Sequence, residues 1–166
     1  MITSASNNID SKRDNNNNSY QHEGETQKRE PAATYRILLV DDDQDILITF
    51  KEGLEEHDVV DKSKIFVDGA IIQVDIFADP KEALSSFKAG VYDLLLLDIR
   101  MQDMNGFELY EELKKIDDKP KVCFITAYEL YYEALKKDFP DLDVGCFIKK
   151  PISIGDLAKK ISEELT

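Results

Sequence analysis

Four places in the sequence carry side chains that could bind a cation and handle a phosphoryl group. An acidic triplet, Asp41–Asp43, and a separate aspartate, Asp98, each follow a run of apolar residues. Thr126 and Lys150 follow two further apolar runs. Clustered carboxylates repel one another, and Mg²⁺ relieves that repulsion while also binding phosphate oxygens. A carboxylate can attack phosphorus, and an ammonium group and a hydroxyl can stabilise the transferred group. These residue types therefore indicate phosphoryl chemistry with Mg²⁺.

Each of these features has an ordinary structural explanation when it is taken alone. The acidic triplet suits the N-terminal end of a helix, where the macrodipole favours negative charge. Asp98 could be a turn residue or a cap, and Thr126 could cap a helix. Lys149-Lys150-Pro151 could simply end a strand. Their placement after successive apolar runs is what favours a shared site.

Five apolar segments have the length and composition of buried strands. The third contains an unbroken run, Leu94–Leu97, which is typical of a strand buried on both faces. Residues 57–70 are ambiguous, because they could form a long loop or carry an additional strand around Ile65–Val67. The predicted strands are Ile37–Val40, Ile71–Phe77, Tyr92–Leu97, Val122–Ile125 and Val144–Ile148.

Amphipathic segments after these strands predict five helices. Ile46, Phe50 and Leu54 recur every four residues, which predicts a helix over Gln44–Glu56. Capping sequences mark the starts of three more helices, and an apolar stripe marks the last one. These signals are Asp79-Pro80-Lys81-Glu82, Asn105-Gly106-Phe107-Glu108, Thr126-Ala127-Tyr128-Glu129, and the stripe of Leu157, Ile161 and Leu165.

Strands that alternate with helices at this spacing predict a doubly wound α/β fold, in which a five-stranded parallel sheet carries helices on both faces. In such folds the ligand site lies beyond the carboxyl ends of the strands, at the point where the strand order reverses. The residues that end the strands are therefore the candidates for function.

The composition indicates one folded domain with a polar extension. The chain has 166 residues, of which 42% are hydrophobic, and a second full domain would be hard to fit. Residues 1–34 are rich in Asn, Ser and Gln. We expect a disordered tail there, because such a segment cannot bury enough apolar surface to offset its ordering entropy. The folded domain is predicted over residues 35–166.

The charge and the apolar runs exclude several classes of function. The formal net charge of −13 would repel a phosphate backbone, so we expect no nucleic-acid partner. The longest apolar runs have four residues, whereas a membrane span needs about 20. The polar N-terminus lacks the apolar core of a signal peptide. These features predict a cytoplasmic protein without a membrane partner.

The two cysteines, Cys123 and Cys146, both lie in apolar runs. Free cysteine behaves as a small hydrophobic residue, and cytosolic proteins rarely keep disulfides. We therefore expect two buried free thiols in a reducing cytosol. Their spacing excludes a CxxC pair of the kind that binds metal or performs redox chemistry.

The segments around the candidate residues resemble the receiver domain of two-component response regulators. The resemblance covers residues 35–166 and is carried by ILLVDDDQDI, LLLLDIRM, FITA and CFIKKP. It implies the flavodoxin-like form of the fold, with strand order 2-1-3-4-5. It also implies a cis peptide bond before Pro151, a conformation found in only about 5–6% of such bonds.

The resemblance implies a role for each candidate residue. Asp98 would be the phosphoacceptor, and Thr126 and Lys150 would bind the transferred phosphoryl group. Thr126 would also act in the conformational switch, together with Phe147. Asp41 would act on the metal largely through water. The implied Mg²⁺ ligands are Asp41, Asp42, Asp98 and the backbone carbonyl of Arg100.

One segment departs from the family pattern D-x-x-M-P-x-M-x-G. Gln102 stands in place of the proline, and Asp103 follows it. We expect a looser loop after Asp98. None of the residues implied in phosphoryl transfer or metal binding is changed, so we expect an active receiver. The positions that keep the family's residues are Asp98, Met101, Met104 and Gly106.

The implied function is that of a single-domain response regulator, a phosphoacceptor signalling protein and not an enzyme. Its only reactions would be self-catalysed phosphotransfer from a sensor histidine kinase and autodephosphorylation. Phosphorylation would remodel the face formed by the fourth helix, the fifth strand and the fifth helix, where Tyr131 and Tyr132 could contact a downstream protein. Arg100 and Tyr128 occupy positions that tune phosphoryl lifetime in the family. With no segment after the last helix, we expect output through protein contacts or a phosphorelay.

Two alternative functions follow from the same residues. The first is an interaction module that keeps the fold but is not phosphorylated, and the complete set of Asp, Thr and Lys positions argues against it. The second is a phosphatase of the haloacid dehalogenase type, which also uses an aspartate nucleophile and Mg²⁺. Asp41-Asp42-Asp43-Gln44-Asp45 lacks the Thr or Val of that family's DxDx[TV] segment, and the chain has no room for a cap domain.

Overall fold

The computed structural model describes residues 33–60, 70–127 and 146–165, with only the helical backbone of residues 56–60. These residues form a five-stranded parallel sheet in the order β2-β1-β3-β4-β5. The predicted flavodoxin-like sheet and its strand order are therefore confirmed. The strands are β1 (Thr34–Val40), β2 (Ile71–Phe77), β3 (Leu94–Asp98), β4 (Lys121–Thr126) and β5 (Cys146–Lys149).

Four helices lie in the part of the chain that the structure describes. The first extends four residues beyond its predicted end at Glu56. The helix predicted to begin at Thr126, with its two candidate contact residues Tyr131 and Tyr132, falls within residues 128–145, outside the described residues. The helices are α1 (Gln44–Val60), α2 (Pro80–Ser86), α3 (Gly106–Ile116) and α4 (Ile154–Leu165).

Two further predictions fall largely outside the described residues. The possible additional strand around Ile65–Val67 lies in the gap at residues 61–69. Residues 1–32 of the predicted disordered tail also lie outside the described ranges. β1 starts at Thr34, three residues before the predicted strand start at Ile37, and Ala33 O accepts a hydrogen bond of 2.7 Å from Ile71 N.

Local capping interactions set where α2 and α3 begin. Asp79 caps α2 by accepting a hydrogen bond of 2.7 Å from Lys81 N, and Pro80 takes the first helical position. Asn105 caps α3, and its backbone N–H donates a hydrogen bond of 2.9 Å to Glu108 Oε2. Both starts agree with the sequence prediction, because these caps depend only on neighbouring residues.

The sheet separates two apolar cores because successive side chains of a strand point to opposite faces. One core packs α1 and α4 against the sheet, and the other packs α2 and α3 against the opposite face. The central strand β3 contributes to both cores and is buried along its whole length. Strand residues of the first core are Ile37, Leu39, Ile72, Val74, Leu94, Leu96, Cys123, Ile125, Cys146 and Ile148; those of the second are Leu38, Val40, Leu95, Leu97, Val122 and Phe124.

The two cysteines correct one expectation. The free thiols predicted from the sequence are wrong for this structure, because the sulfurs of Cys123 and Cys146 form a disulfide. The residues are direct partners in the register of β4 and β5, with their Cα atoms 4.6 Å apart. Register between strands depends on tertiary packing, which the spacing of two cysteines does not reveal. The prediction that both side chains are buried is correct.

Candidate functional site

The site lies at the carboxyl edge of the sheet, where the strand order reverses between β1 and β3. In the register of the sheet Val40 pairs with Leu97, so Asp41 and Asp98 leave the edge side by side. Thr126 pairs with Lys149 at the ends of β4 and β5. One cleft is lined by Asp41, Asp42, Asp43, Ile46, Asp98, Arg100, Thr126, Ala127 and Lys150.

The ammonium group of Lys150 joins the two buried carboxylates of the cleft. It donates a hydrogen bond of 2.7 Å to Asp98 Oδ1 and a second one to Asp41 Oδ2. The side chain of Lys150 is only 15% exposed, and both carboxylates are nearly inaccessible to solvent. The peptide bond that follows, Lys150-Pro151, is cis, as the resemblance implied.

Burial and charge act in opposite directions on the pKa values of this pair. Burial, followed by the nearby charge of Asp41, raises the pKa of Asp98, although the Lys150 hydrogen bond and charge oppose the shift. Burial alone would lower the pKa of Lys150, but the hydrogen bonds to Asp41 and Asp98 and the charges of these carboxylates together outweigh burial and raise it. Lys150 therefore carries its positive charge at neutral pH, between two acidic groups.

Three carboxylates of the cleft could hold a metal ion. One oxygen each of Asp41, Asp42 and Asp98 lies within 4.8 Å of the other two. Asp42 is exposed, whereas the other two are buried. An all-oxygen donor set beside open solvent fits a hard divalent cation such as Mg²⁺, which keeps several waters, better than a thiophilic metal.

The loop after β3 holds Asp98 in place through its own backbone. Arg100 N donates a hydrogen bond of 2.7 Å to Asp98 Oδ2, and Gly106 N donates one of 3.1 Å to Ile99 O. A Cβ atom at Gly106 would overlap the carbonyl oxygen of Asp98, so only glycine lets α3 begin this close to the strand end.

The same loop is tied to α2 at the positions that depart from the family pattern. Asp103 adopts a left-handed backbone conformation, with φ at 66°. Its carboxylate lies 3.0 Å from the ammonium of Lys81, and Met104 N donates a hydrogen bond of 2.7 Å to Gln102 O. This loop is therefore held by one ion pair to α2 and by one hydrogen bond within its own backbone.

The candidate switch residues lie at the far side of the cleft. Thr126 is half-buried, and its backbone carbonyl accepts a hydrogen bond of 2.8 Å from Lys150 N. The half-buried Phe147 packs against the second core, with its ring centroid 5.8 Å from that of Phe124. Phe124 also stacks on Phe107 of α3, so an aromatic row runs inward from Phe147.

The structure brings all the predicted phosphoryl-binding and metal-binding side chains into one cleft, while Tyr128 lies outside the described residues. The sequence offered a helix start as the alternative to a site for the acidic triplet, whereas the structure shows both. Asp43 accepts hydrogen bonds from Asp45 N and Ile46 N and caps α1, and its own N–H donates one of 3.0 Å to Asp41 Oδ1. The acidic triplet is therefore both a helix start and part of the site. Gly106 was recognised as a pattern residue, but its close approach to Asp98 was not.

Comparisons with known proteins agree with this site. The family model for the response regulator receiver domain matches residues 37–162. The regulatory protein VanRB of Enterococcus faecalis is 30% identical over 126 residues, which are 76% of this chain and 50% of VanRB. The chain spans about half or less of the length of the curated relatives it matches.

Solved structures agree in fold. A CheY-like receiver domain protein from Methanospirillum hungatei is 30% identical, with a TM-score of 0.63 over 80% of this chain and 94% of that one. The response regulator TrrA of Thermotoga maritima, in complex with Mg²⁺ and BeF, is 29% identical, with a TM-score of 0.61 over 79% of this chain and 99% of that one. This chain belongs to the response regulator receiver domain family of two-component systems.

Proposed function

We propose that this chain is a response regulator receiver that accepts a phosphoryl group from a histidine kinase on Asp98. The observation that carries the proposal is the pairing of Lys150 with Asp41 and Asp98 at the edge where the strand order reverses between β1 and β3. A buried ammonium between two carboxylates beside an open cleft has the charges needed to bind and stabilise an incoming phosphoryl group. The relative TrrA was crystallised with Mg²⁺ and BeF, which supports the same chemistry here.

In the proposed reaction an Asp98 carboxylate oxygen attacks the phosphorus of phosphohistidine. An O–P bond forms, the P–N bond breaks, and the imidazole leaves, so that Asp98 becomes an acyl phosphate. The Thr126 hydroxyl and the Lys150 ammonium then bind phosphoryl oxygens. Mg²⁺, held by Asp41, Asp42, Asp98 and the Arg100 carbonyl, would neutralise charge on the carboxylates and on the transferred group.

The proposed output is a change in the surface around β5 and α4. Lys150 and Thr126 lie at the ends of the paired strands β5 and β4, and Phe147 lies on β5 itself. Movement of Lys150 and Thr126 toward a phosphoryl group would therefore shift the population of Phe147 positions at that surface. A downstream protein would bind there, on the face that also includes the helix predicted to begin at Thr126.

The cellular setting is part of the proposal. A phosphohistidine donor is made from ATP, which places the chain in the cytoplasm. No helix within the described ranges combines the length and hydropathy that a bilayer crossing needs. The acidic net charge of −13 disfavours nucleic acid as the direct partner.

The test is phosphorylation by radiolabelled acetyl phosphate in the presence of Mg²⁺. We expect a stoichiometric acyl phosphate on the wild-type chain and none on Asp98→Ala. Asp43→Asn is the matched control, because Asn also caps helices well and residue 43 is exposed in the same cleft. The control should be labelled like the wild type.

Other results would contradict the proposal. Equal labelling of Asp98→Ala would place the phosphoryl group elsewhere. Steady hydrolysis of a phosphomonoester would favour the phosphatase. A folded chain that neither binds Mg²⁺ nor accepts a phosphoryl group from any phosphodonor would favour the unphosphorylated interaction module.

A further inference from the structure

The cysteine pair lies outside the phosphoryl site but on the strands that lead into it. Cys123 on β4 and Cys146 on β5 are register partners, and their Cα separation of 4.6 Å is within the range that disulfides require. Both side chains are buried in the core beneath α1 and α4. The bond therefore joins the edge strand to the rest of the sheet from inside the domain.

The position of this bond relates it to the candidate switch residues. Three residues further along, β4 ends at Thr126, which pairs with Lys149. Lys150 follows, and its N–H is bonded to the Thr126 carbonyl. Phe147 is the immediate neighbour of Cys146. A covalent bond here fixes the position of β5 relative to β4, and therefore restrains sliding of the strand ends that carry the site.

We propose that Cys123 and Cys146 are a redox modification site, a reversible disulfide whose formation restrains β4 against β5. Disulfides in cytosolic proteins are usually transient and redox-sensing, which fits a regulatory bond in the proposed cytoplasmic setting. Formation of the bond does not depend on the proposed phosphoryl chemistry. Its effect on the strand ends that carry Thr126 and Lys150 does rest on that function.

The chemistry is thiol–disulfide exchange with a small-molecule disulfide, RSSR, as the oxidant. Cys146 lies on the four-residue edge strand β5 and becomes accessible when that strand separates locally. Its thiolate attacks one sulfur of RSSR and expels RS⁻. The Cys123 thiolate then attacks Cys146 and expels the second RS⁻. The protein loses two electrons and two protons, and RSSR is reduced to two thiols.

The bond should change stability by an amount that can be measured. It closes a loop across 23 positions of sequence. In the chain-entropy treatment, such a crosslink corresponds to a rise in Tm on the order of 10 °C for a domain of this size. The oxidised chain should also show slower amide hydrogen exchange in β5, because opening of the edge strand is restrained.

The experiment uses the full chain, equilibrated with oxidised glutathione or with dithiothreitol. Alkylation after denaturation should find no reactive thiol in the oxidised monomer and two in the reduced one. Reduction should lower Tm and speed exchange in β5. In the double variant Cys123→Ala/Cys146→Ala, which keeps small apolar side chains in the core, Tm should not respond to either treatment.

Several outcomes would overturn the proposal. These are two reactive thiols after oxidation, disulfide-linked dimers, or an oxidised monomer whose Tm and β5 exchange equal those of the reduced one. A carboxylate oxygen of Glu164 lies within 4.8 Å of both sulfurs. Stoichiometric zinc retention by the reduced chain would therefore assign the cluster to a metal site instead.

The phosphoryl function is tested separately from the disulfide. Acetyl phosphate labelling of Asp98 is measured in both redox states, with the exchange of β5 followed before and after labelling. Labelling in neither state would refute the proposed function and leave the thiol result intact. Labelling with an identical β5 response in both states would refute the coupling alone, whereas a smaller response in the oxidised chain supports it.

Discussion

The ammonium of Lys150 lies 2.7 Å from Asp98 Oδ1, although 52 residues separate the two in the chain. It also contacts Asp41, so a single cation compensates both buried carboxylates. Lys150→Met would leave these acidic groups buried and facing each other. Removing one partner of a buried ion pair costs about 3–5 kcal/mol. We expect that loss in the free energy of unfolding at neutral pH, measured by urea denaturation.

A control and a rescue make this prediction specific. Lys159→Met, on the exposed face of α4, should change the free energy of unfolding by less than about 0.5 kcal/mol. Added Mg²⁺ should recover part of the stability of Lys150→Met, because a cation replaces the missing positive charge. Equal stability of the two variants in the absence of Mg²⁺ would show that Lys150 does not compensate the carboxylates.

Mg²⁺ should stabilise the wild-type chain. An ion that binds only the folded state adds RT ln(1 + [Mg²⁺]/Kd), or about 1.4 kcal/mol at ten times Kd. Asp42→Asn removes one charged ligand of the proposed site and should weaken the dependence of Tm on Mg²⁺. Asp43→Asn should retain it, since Asp43 serves as the cap of α1. The same loss of response in both variants would argue for general screening of acidic charge.

The glycine at the start of α3 should not tolerate a side chain. Gly106→Ala would force Cβ into the Asp98 carbonyl, and overpacking of this kind costs about 1–3 kcal/mol. It should also lower the rate of Asp98 labelling, because the strand end must shift. Gly90→Ala is the matched control: it meets no atom within 4 Å, and its φ of 75° costs about 1 kcal/mol in stability alone. Normal labelling of Gly106→Ala would show that the strand end has not moved.

Tyr92 should titrate at unusually high pH. Burial, together with its hydrogen bond of 2.9 Å to Asp75, raises the pKa of Tyr92 to about 12. The folded state therefore holds the phenol proton more tightly than the unfolded chain, and stability falls as the pH rises from about 10 to about 12. The absorbance of phenolate, compared between the wild type and Tyr92→Phe, isolates this group.

A variant of the partner tests the cause of the shift. Asp75→Asn removes the negative charge beside the phenol, so the pKa of Tyr92 should fall toward its ordinary value. That variant also removes the partner of Arg36, whose guanidinium lies 2.7 Å from Asp75. The free energy of unfolding at neutral pH should fall as well, because the ion pair with Arg36 is lost. The effect on Tyr92, in contrast, appears only at alkaline pH, so the two effects can be measured separately. An unchanged phenol titration would show that burial alone sets it.

Local patterns in the sequence were sufficient for the strands and most helix starts, and they singled out side chains that the structure brings into one cleft. β2 is observed at the predicted residues, Ile71–Phe77, because the types of the residues within and beside the strand determine its boundaries. Asn105 caps α3 for the same reason. The ends of β3 and β4 each extend one residue beyond the prediction, since hydrogen bonding to neighbouring strands decides the last residue.

Tertiary structure alone decided which distant residues meet. The contact of Lys150 with both carboxylates, the closeness of Gly106 to Asp98, and the bond between Cys123 and Cys146 all depend on strand register and helix approach. These are set by how two cores pack on one sheet, and the packing energy is shared among many residues. Composition and spacing report what each segment forms locally, but they carry no distance between segments. For this reason the two cysteines were predicted as separate thiols, although the strand register brings them together.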